Sequence, residues 1–282
     1  MGKTDLSWAV PVMRAGYAGR GIVYLVVAGF SLYAIWRGGQ AKGTQSALHQ
    51  LETTAGGYVI LTLIFLGMLA YALWRVVAAF YDLECRGNDA KGLVARTGMI
   101  ITGLLHLSIG FLAFSLVFTS GGSGGSSIPS WVASIMALPG GRWIIAGGGA
   151  IIIGAGIHYA IKGWKEKYRQ FLQANHFTLH WNPALKAGLL AQGVVIAVVG
   201  LLFVFAAWHA NPSEAGGTEE AFSWLTHQPY GWALIAAVCI GLLGFSLFCF
   251  VNAAYRIVPR VTGDDIETVA ARLEAKARQA TS

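Results

Sequence analysis

Six polar side chains stand inside or at the edge of long apolar runs, and any chemistry in this chain has to draw on them: Arg20, Tyr24, Thr102, His106, His158 and Gln192. Arg20 lies about 9 Å along the first run, at the helical rise of about 1.5 Å per residue. A guanidinium at that depth is costly unless it snorkels toward lipid phosphate or finds a polar partner. Thr102 and Gln192 hold the same place in later runs, so a polar group recurs at one level. Snorkelling and a polar cluster shared within a bundle both fit. His106 aligns with Tyr24 and Ile196, and His158 with Tyr71 and Phe248, which suits a packing slot that takes imidazole or an aromatic ring. Paired imidazoles can also ligate haem, but axial ligands must share a depth. His158 stands one turn from Lys162, whereas His106 is near mid-run, so that pairing is not expected.

Other chemistries lack their residues. All Asp and Glu fall in loops or tails, which removes the intramembrane carboxylate that proton- or sodium-coupled carriers commonly use. No Ser-His-Asp or HExxH constellation is visible, and no His, Cys and carboxylate set has metal-ligand spacing. The expectation is a protein that is not an enzyme, with no cofactor and no metal. Cys85 lies in a loop and Cys239 and Cys249 in the last run, so the three do not form a disulfide framework.

The elements that position these residues are membrane spans. The chain is 55% hydrophobic and 12% charged, with a mean hydropathy of +0.57. Six nearly charge-free stretches, at about 17–36, 58–80, 97–118, 143–161, 187–208 and 231–255, are each long enough for a hydrocarbon core of about 30 Å. The net charge of +7 is not read as a nucleic-acid signal. With the N-terminus in the cytoplasm, every Lys and Arg except Arg37, Lys42 and Arg142 falls on the cytoplasmic side. That is the positive-inside pattern, and an even number of spans returns the C-terminus to the cytoplasm. A bacterial inner-membrane location is expected, with the first run retained because it lacks a small-residue cleavage site.

The spans come in pairs. Arg14, Gly16 and Gly21 open the first pair, Arg96, Gly98 and Gly103 the second, and Lys186, Gly188 and Gly193 the third. Seven residues past the second glycine stand Ala28, Gly110 and Gly200. The second spans share their own spacing: Gly67, Tyr71 and Arg75 align with Gly154, His158 and Lys162, then with Gly244, Phe248 and Asn252. Steps of four place each trio on one helix face. Between the spans of each pair lies a short amphipathic segment, at 46–51, 131–138 and 221–225, expected to lie flat at the interface with Trp131 and Trp224 at headgroup depth. A Gly/Ser linker at 121–127, an interfacial stripe of Trp164, Tyr168, Phe171 and Leu172, and an amphipathic tail helix from Asp264 with Glu267 in a capping box complete the reading.

These three Arg/Gly-headed helix pairs resemble the bacterial family known as domain of unknown function 1206, whose members carry three copies of a two-helix unit. The resemblance covers roughly 13–258 and implies a fold, not an activity. The third copy departs from the pattern at Lys186, Ile196 and Asn252.

The expected fold is therefore an all-α integral membrane protein. Hairpin repeats at 13–82, 95–174 and 185–258 are parallel and form a pseudo-threefold six-helix bundle, N-in and C-in, with a cytoplasmic tail at 259–282. The small-residue stripes let helix backbones approach where van der Waals packing drives association. The expected function is lipid binding, scaffolding or complex formation, with membrane lipids and a second copy or another membrane component as partners and no nucleic acid. A basic collar of Arg14, Arg96, Lys186, Arg75 and Lys162 is the candidate site for lipid phosphate or another anion, although positive-inside topology explains the same residues. The alternative is a small anion or solute channel along the pseudo-threefold axis, past Arg20, Tyr24, Thr102, His106 and Gln192.

Overall fold

The computed structural model describes residues 6–118, 128–262 and 268–281, so the 121–127 linker and the Asp264 and Glu267 capping box lie outside the described residues. The described chain is helical. Six helices are long and apolar enough to cross a membrane: α1 (Ala9–Trp36), α3 (Gly57–Phe80), α4 (Ala90–Phe118), α6 (Gly141–Trp164), α8 (Asn182–His209) and α10 (Gly231–Tyr255). The first span of each pair starts several residues before its long apolar run and carries Arg14, Lys91 and Arg96, or Lys186 ahead of that run. Between the spans of each pair lies a short helix: α2 (Thr44–Glu52), α5 (Ile128–Met136) and α9 (Thr218–Thr226). Among the described residues the remaining helices are α7 (His176–His180), α11 (Pro259–Thr262), α12 (Val269–Thr281) and two short 3-10 helices at Lys167–Phe171 and Pro212–Glu214.

The spans pack in a ring that is open at one place. Going round, α4 packs on α3, α3 on α1, α1 on α10, α10 on α8 and α8 on α6, but α4 and α6 share no packed interface. The two helices at the break are also the least covered. Of their apolar windows 28% and 17% are buried, against 39–50% in the other four spans.

Small residues decide where the ring closes. Within the first pair, a methyl group on Gly19 would lie 2.5 Å from the Gly67 Cα, so α1 and α3 touch backbone to backbone. Within the third, Gly188 of α8 is pressed in the same way against Gly244 and Phe245 of α10. The α6–α8 seam interlocks Gly149 and Gly156 with Gly193 and Gly200. Such close approach supplies the packing that the hydrophobic effect cannot supply in lipid. The second pair carries matching glycines, Gly98 and Gly154, yet neither has any atom within 4 Å of where a Cβ would stand. Sequence alignment of the repeats shows one difference. Gly19 corresponds to Ala191 in the third pair and to Ile101 in the second, so the pair that stays open lacks a small residue at this position.

The short helices are not simply afloat at an interface. Ala47, Leu48 and Leu51 of α2 and Ala221, Phe222 and Leu225 of α9 are buried, and the backbone N–H of Thr44 donates to Thr218 Oγ1 at 3.0 Å. Helix α5 comes nearer the expectation, burying only Val132 and leaving Trp131 61% exposed. The expected interfacial stripe after α6 also differs. Tyr168, Phe171 and Leu172 are buried in protein, because residues 171–173 exchange backbone hydrogen bonds with the chain at 255–257 and with Val269. Only Trp164 of that stripe remains exposed.

Candidate functional site

One end of the bundle contains a cavity of about 710 Å³, set where the ring is open. Its walls come from α1, α3, α10 and the facing sides of α4 and α6. Six basic side chains line it: Arg20, Arg75, Arg86, Lys91, Lys162 and Arg256. A single carboxylate, Glu84, answers them. The lining reaches Thr102 on α4 and Ile151 on α6, roughly 17 Å from the basic end at the helical rise.

Glu84 is the residue around which the basic end is organised. It lies in the loop after α3, whose turn is held by Asp82 accepting from the backbone N–H groups of Arg86 (2.7 Å) and Gly87 (2.9 Å). The loop folds back so that Glu84 is only 6% exposed. Arg256 at the end of α10 donates to it at 2.7 Å, Arg86 donates at 2.9 Å, and Arg75 stands 3.7 Å away. Burial alone would raise its carboxyl; the Arg256, Arg75 and Arg86 guanidinium groups outweigh that and hold it well below the usual carboxylate range. Arg256 also donates to Asn252 Oδ1 at 2.8 Å and lies over the rings of Tyr17 and Phe171. Sequence reasoning passed over Glu84 because a lone loop glutamate looks solvated. The surplus of arginines with no intramembrane acid was the available signal.

Deeper in, the intramembrane polar residues form a connected set. Arg20 is 4% exposed and donates from Nη1 to the Tyr71 hydroxyl at 3.0 Å. Among the described residues it makes no ion pair. Its guanidinium is instead surrounded by the rings of Tyr24, Tyr71 and Phe245 at 4.9–5.6 Å, and its Nε has no partner. Cation–π contact of this kind substitutes partly for water around a desolvated charge. Gln192 donates to the Tyr24 hydroxyl at 2.9 Å, tying α8 to α1. His106 packs against Tyr71 at 4.8 Å with Nδ1 2.8 Å from the Thr102 carbonyl. The chain Gln192, Tyr24, Arg20, Tyr71, His106 is thus continuous, with Tyr71 as the node. His158 stands apart from it, on the cavity wall.

The residues of the expected basic collar separate into different roles. Arg75 and Lys162 line the cavity. Arg96 donates to the carbonyls of Ala79 (2.6 Å) and Phe80 (3.1 Å) and to Asn88 Oδ1 (2.6 Å), capping the end of α3. Lys186 pairs with Glu166 at 3.6 Å and lies over the Trp164 ring, at the end of α6. These two repeat heads therefore each fasten the preceding span. Arg14 is exposed on α1, outside the cavity lining.

Comparison with known proteins gives a lineage without an activity. A family model described as Domain of Unknown Function (DUF1206) matches the chain three times, over residues 15–82, 97–166 and 187–256. The chain is 26% identical over 253 residues to the uncharacterized protein YxxB of Bacillus subtilis (strain 168), covering 88% of this chain and 92% of that protein. No solved structure matches it.

Proposed function

The chain belongs to the DUF1206 family, and from that premise we propose that it is a non-enzymatic protein of the bacterial inner membrane that holds the anionic headgroup of a membrane lipid. The carrying observation is the cavity at the open place in the ring, where six basic side chains face one carboxylate. Three of the cations, Arg256, Arg86 and Arg75, are gathered by Glu84, and the surplus charge on Lys162, Lys91 and Arg20 favours an anionic guest. Phosphate oxygens accept charge-assisted hydrogen bonds from such groups. The positive-inside rule sets the basic end, and with it both termini, in the cytoplasm, where anionic headgroups are presented to it.

A conducting passage along the axis has less support. The cavity lining stops at Thr102 and Ile151, while Phe245 fills the interior beside the Tyr24–Gln192 hydrogen bond.

Native mass spectrometry after incubation with mixed phosphatidylglycerol and phosphatidylcholine tests the reading. Arg75→Gln with Lys162→Gln should lower phosphatidylglycerol retention by about tenfold, the equivalent of about 1.4 kcal/mol, the scale of one charged hydrogen bond. Retention of the anionic lipid at the wild-type level by a folded double variant sinks the proposal.

A further inference from the structure

The break in the ring has a shape as well as a charge. In the first and third pairs the two spans close on small residues, Gly19 on Gly67 and Gly188 on Gly244. In the second pair the equivalent strip carries Gly98 on α4 and Gly154 on α6, both facing open space, and Gly147 and Gly148 continue that open space along α6. Beside them Ala155 and Ile151 line the cavity and are exposed, Ile151 at 75%. The result is a side opening with smooth, apolar walls. It runs on from a basic cavity, at a depth where the helices are surrounded by hydrocarbon chains.

We infer that the slot between α4 and α6 takes one acyl chain of an anionic glycerophospholipid whose phosphate sits among Arg75 and Lys162. This deepens the headgroup reading and rests on it. The placing of two arginines supports the assignment. Arg75 lies one helical turn nearer the basic end than Tyr71, whose hydroxyl accepts from Arg20, and the Tyr71 ring carries the Arg75 guanidinium at 5.7 Å and the Arg20 guanidinium at 5.2 Å. The Arg20 Nε is buried and without a hydrogen-bond partner, and on this inference it is the donor that an ester carbonyl of the lipid would answer. A free phosphate or a soluble anion would use the basic mouth but leave the slot and Arg20 Nε unanswered. A neutral lipid would leave the cations unanswered and so would not be held in the slot. The acyl chain replaces, in the second pair, the helix-to-helix contact that the first and third pairs make.

The experiment reconstitutes the full chain in phosphatidylcholine vesicles containing phosphatidylglycerol with a diazirine near the middle of one acyl chain. After irradiation, the labelled residues are mapped by mass spectrometry. Labelling is expected to be enriched severalfold at 151–155 over lipid-facing positions such as Leu25 and Leu63. Excess glycerol 3-phosphate should leave that enrichment largely in place, and the same diazirine on phosphatidylcholine should not produce it. Gly154→Leu with Ala155→Leu, which fills the slot, should abolish the enrichment. Even labelling of all spans by the wild-type protein overturns the inference without requiring any variant to fold. So does enrichment that survives filling of the slot, or equal enrichment with phosphatidylcholine. If the slot labels evenly while Arg75→Gln with Lys162→Gln still loses phosphatidylglycerol, the chain assignment falls and the headgroup reading stands.

Discussion

Glu84 and Arg256 meet at 2.7 Å although 172 residues of chain separate them. That contact joins the loop after the second span to the end of the sixth and so fixes the basic end of an otherwise open ring. Both side chains are only 4% exposed, which places the pair where desolvation matters. Removing one partner of such a pair leaves the other charge buried, at a cost of about 3–5 kcal/mol. Glu84→Gln should therefore lower the thermal midpoint of the purified protein markedly, and Arg256→Met should do the same. The double variant should recover part of the loss, because neither charge is then left alone. A double variant as unstable as the sum of the singles counts against coupling.

The same pair predicts a pH dependence. Glu84 has its carboxyl depressed in the folded protein, so its contribution is present above the ordinary carboxylate pKa and is lost only as pH falls through the lower folded value. The stability gap between wild type and Glu84→Gln should stay constant from about pH 8 to about pH 5 and narrow only below the usual carboxylate range. Thermal unfolding across that series measures it. A gap that closes already near neutrality contradicts the ion-pair account.

Arg96 offers a test of cap against collar. It donates to the carbonyls ending α3 and is not in the lining of the basic cavity. Arg96→Gln should cost about 1.5–3 kcal/mol, the scale of hydrogen bonds to a charged group. Hydrogen exchange should quicken in the last turn of α3, with phosphatidylglycerol retention unchanged. Loss of lipid with unaltered exchange would return Arg96 to the binding site.

The glycines separate by location. Gly19→Val places a branched side chain against the Gly67 backbone, and overpacking of that kind costs about 1–3 kcal/mol. Gly98→Val meets open space and should change stability by less than about 0.5 kcal/mol. Unfolding in detergent compares the two directly. Equal losses would mean that α4 and α6 close on one another in solution.

Orientation can be read with a native cysteine. Cys85 is exposed at the basic end, whereas Cys239 and Cys249 are buried. A membrane-impermeant maleimide should label the protein in inverted vesicles and leave it untouched in intact cells. Labelling in intact cells reverses the proposed topology.

The sequence by itself determined the spans, their pairing and which glycines belong together. Apolar length against a fixed hydrocarbon thickness is a local property, and the repeat of Arg14, Arg96 and Lys186 with their glycines is visible residue by residue. Arg20, Tyr24, Thr102, His106 and Gln192 were likewise legible as the polar residues in or bordering the runs, though not that Tyr71 connects them. Only the tertiary structure decided that the second pair does not close. Matching glycines in the first and second pairs stand in different surroundings, Gly16 against Tyr71 and Gly67 against Gly19 but Gly98 and Gly154 in open space, and the position of Gly19 is taken by Ile101 in the second pair. Only the tertiary structure brought Glu84 to Arg256, since an ion pair between distant loops depends on where the ring places its ends. The repeat dictates three equal hairpins; the packing of their side chains leaves one of them open, and the cavity is there.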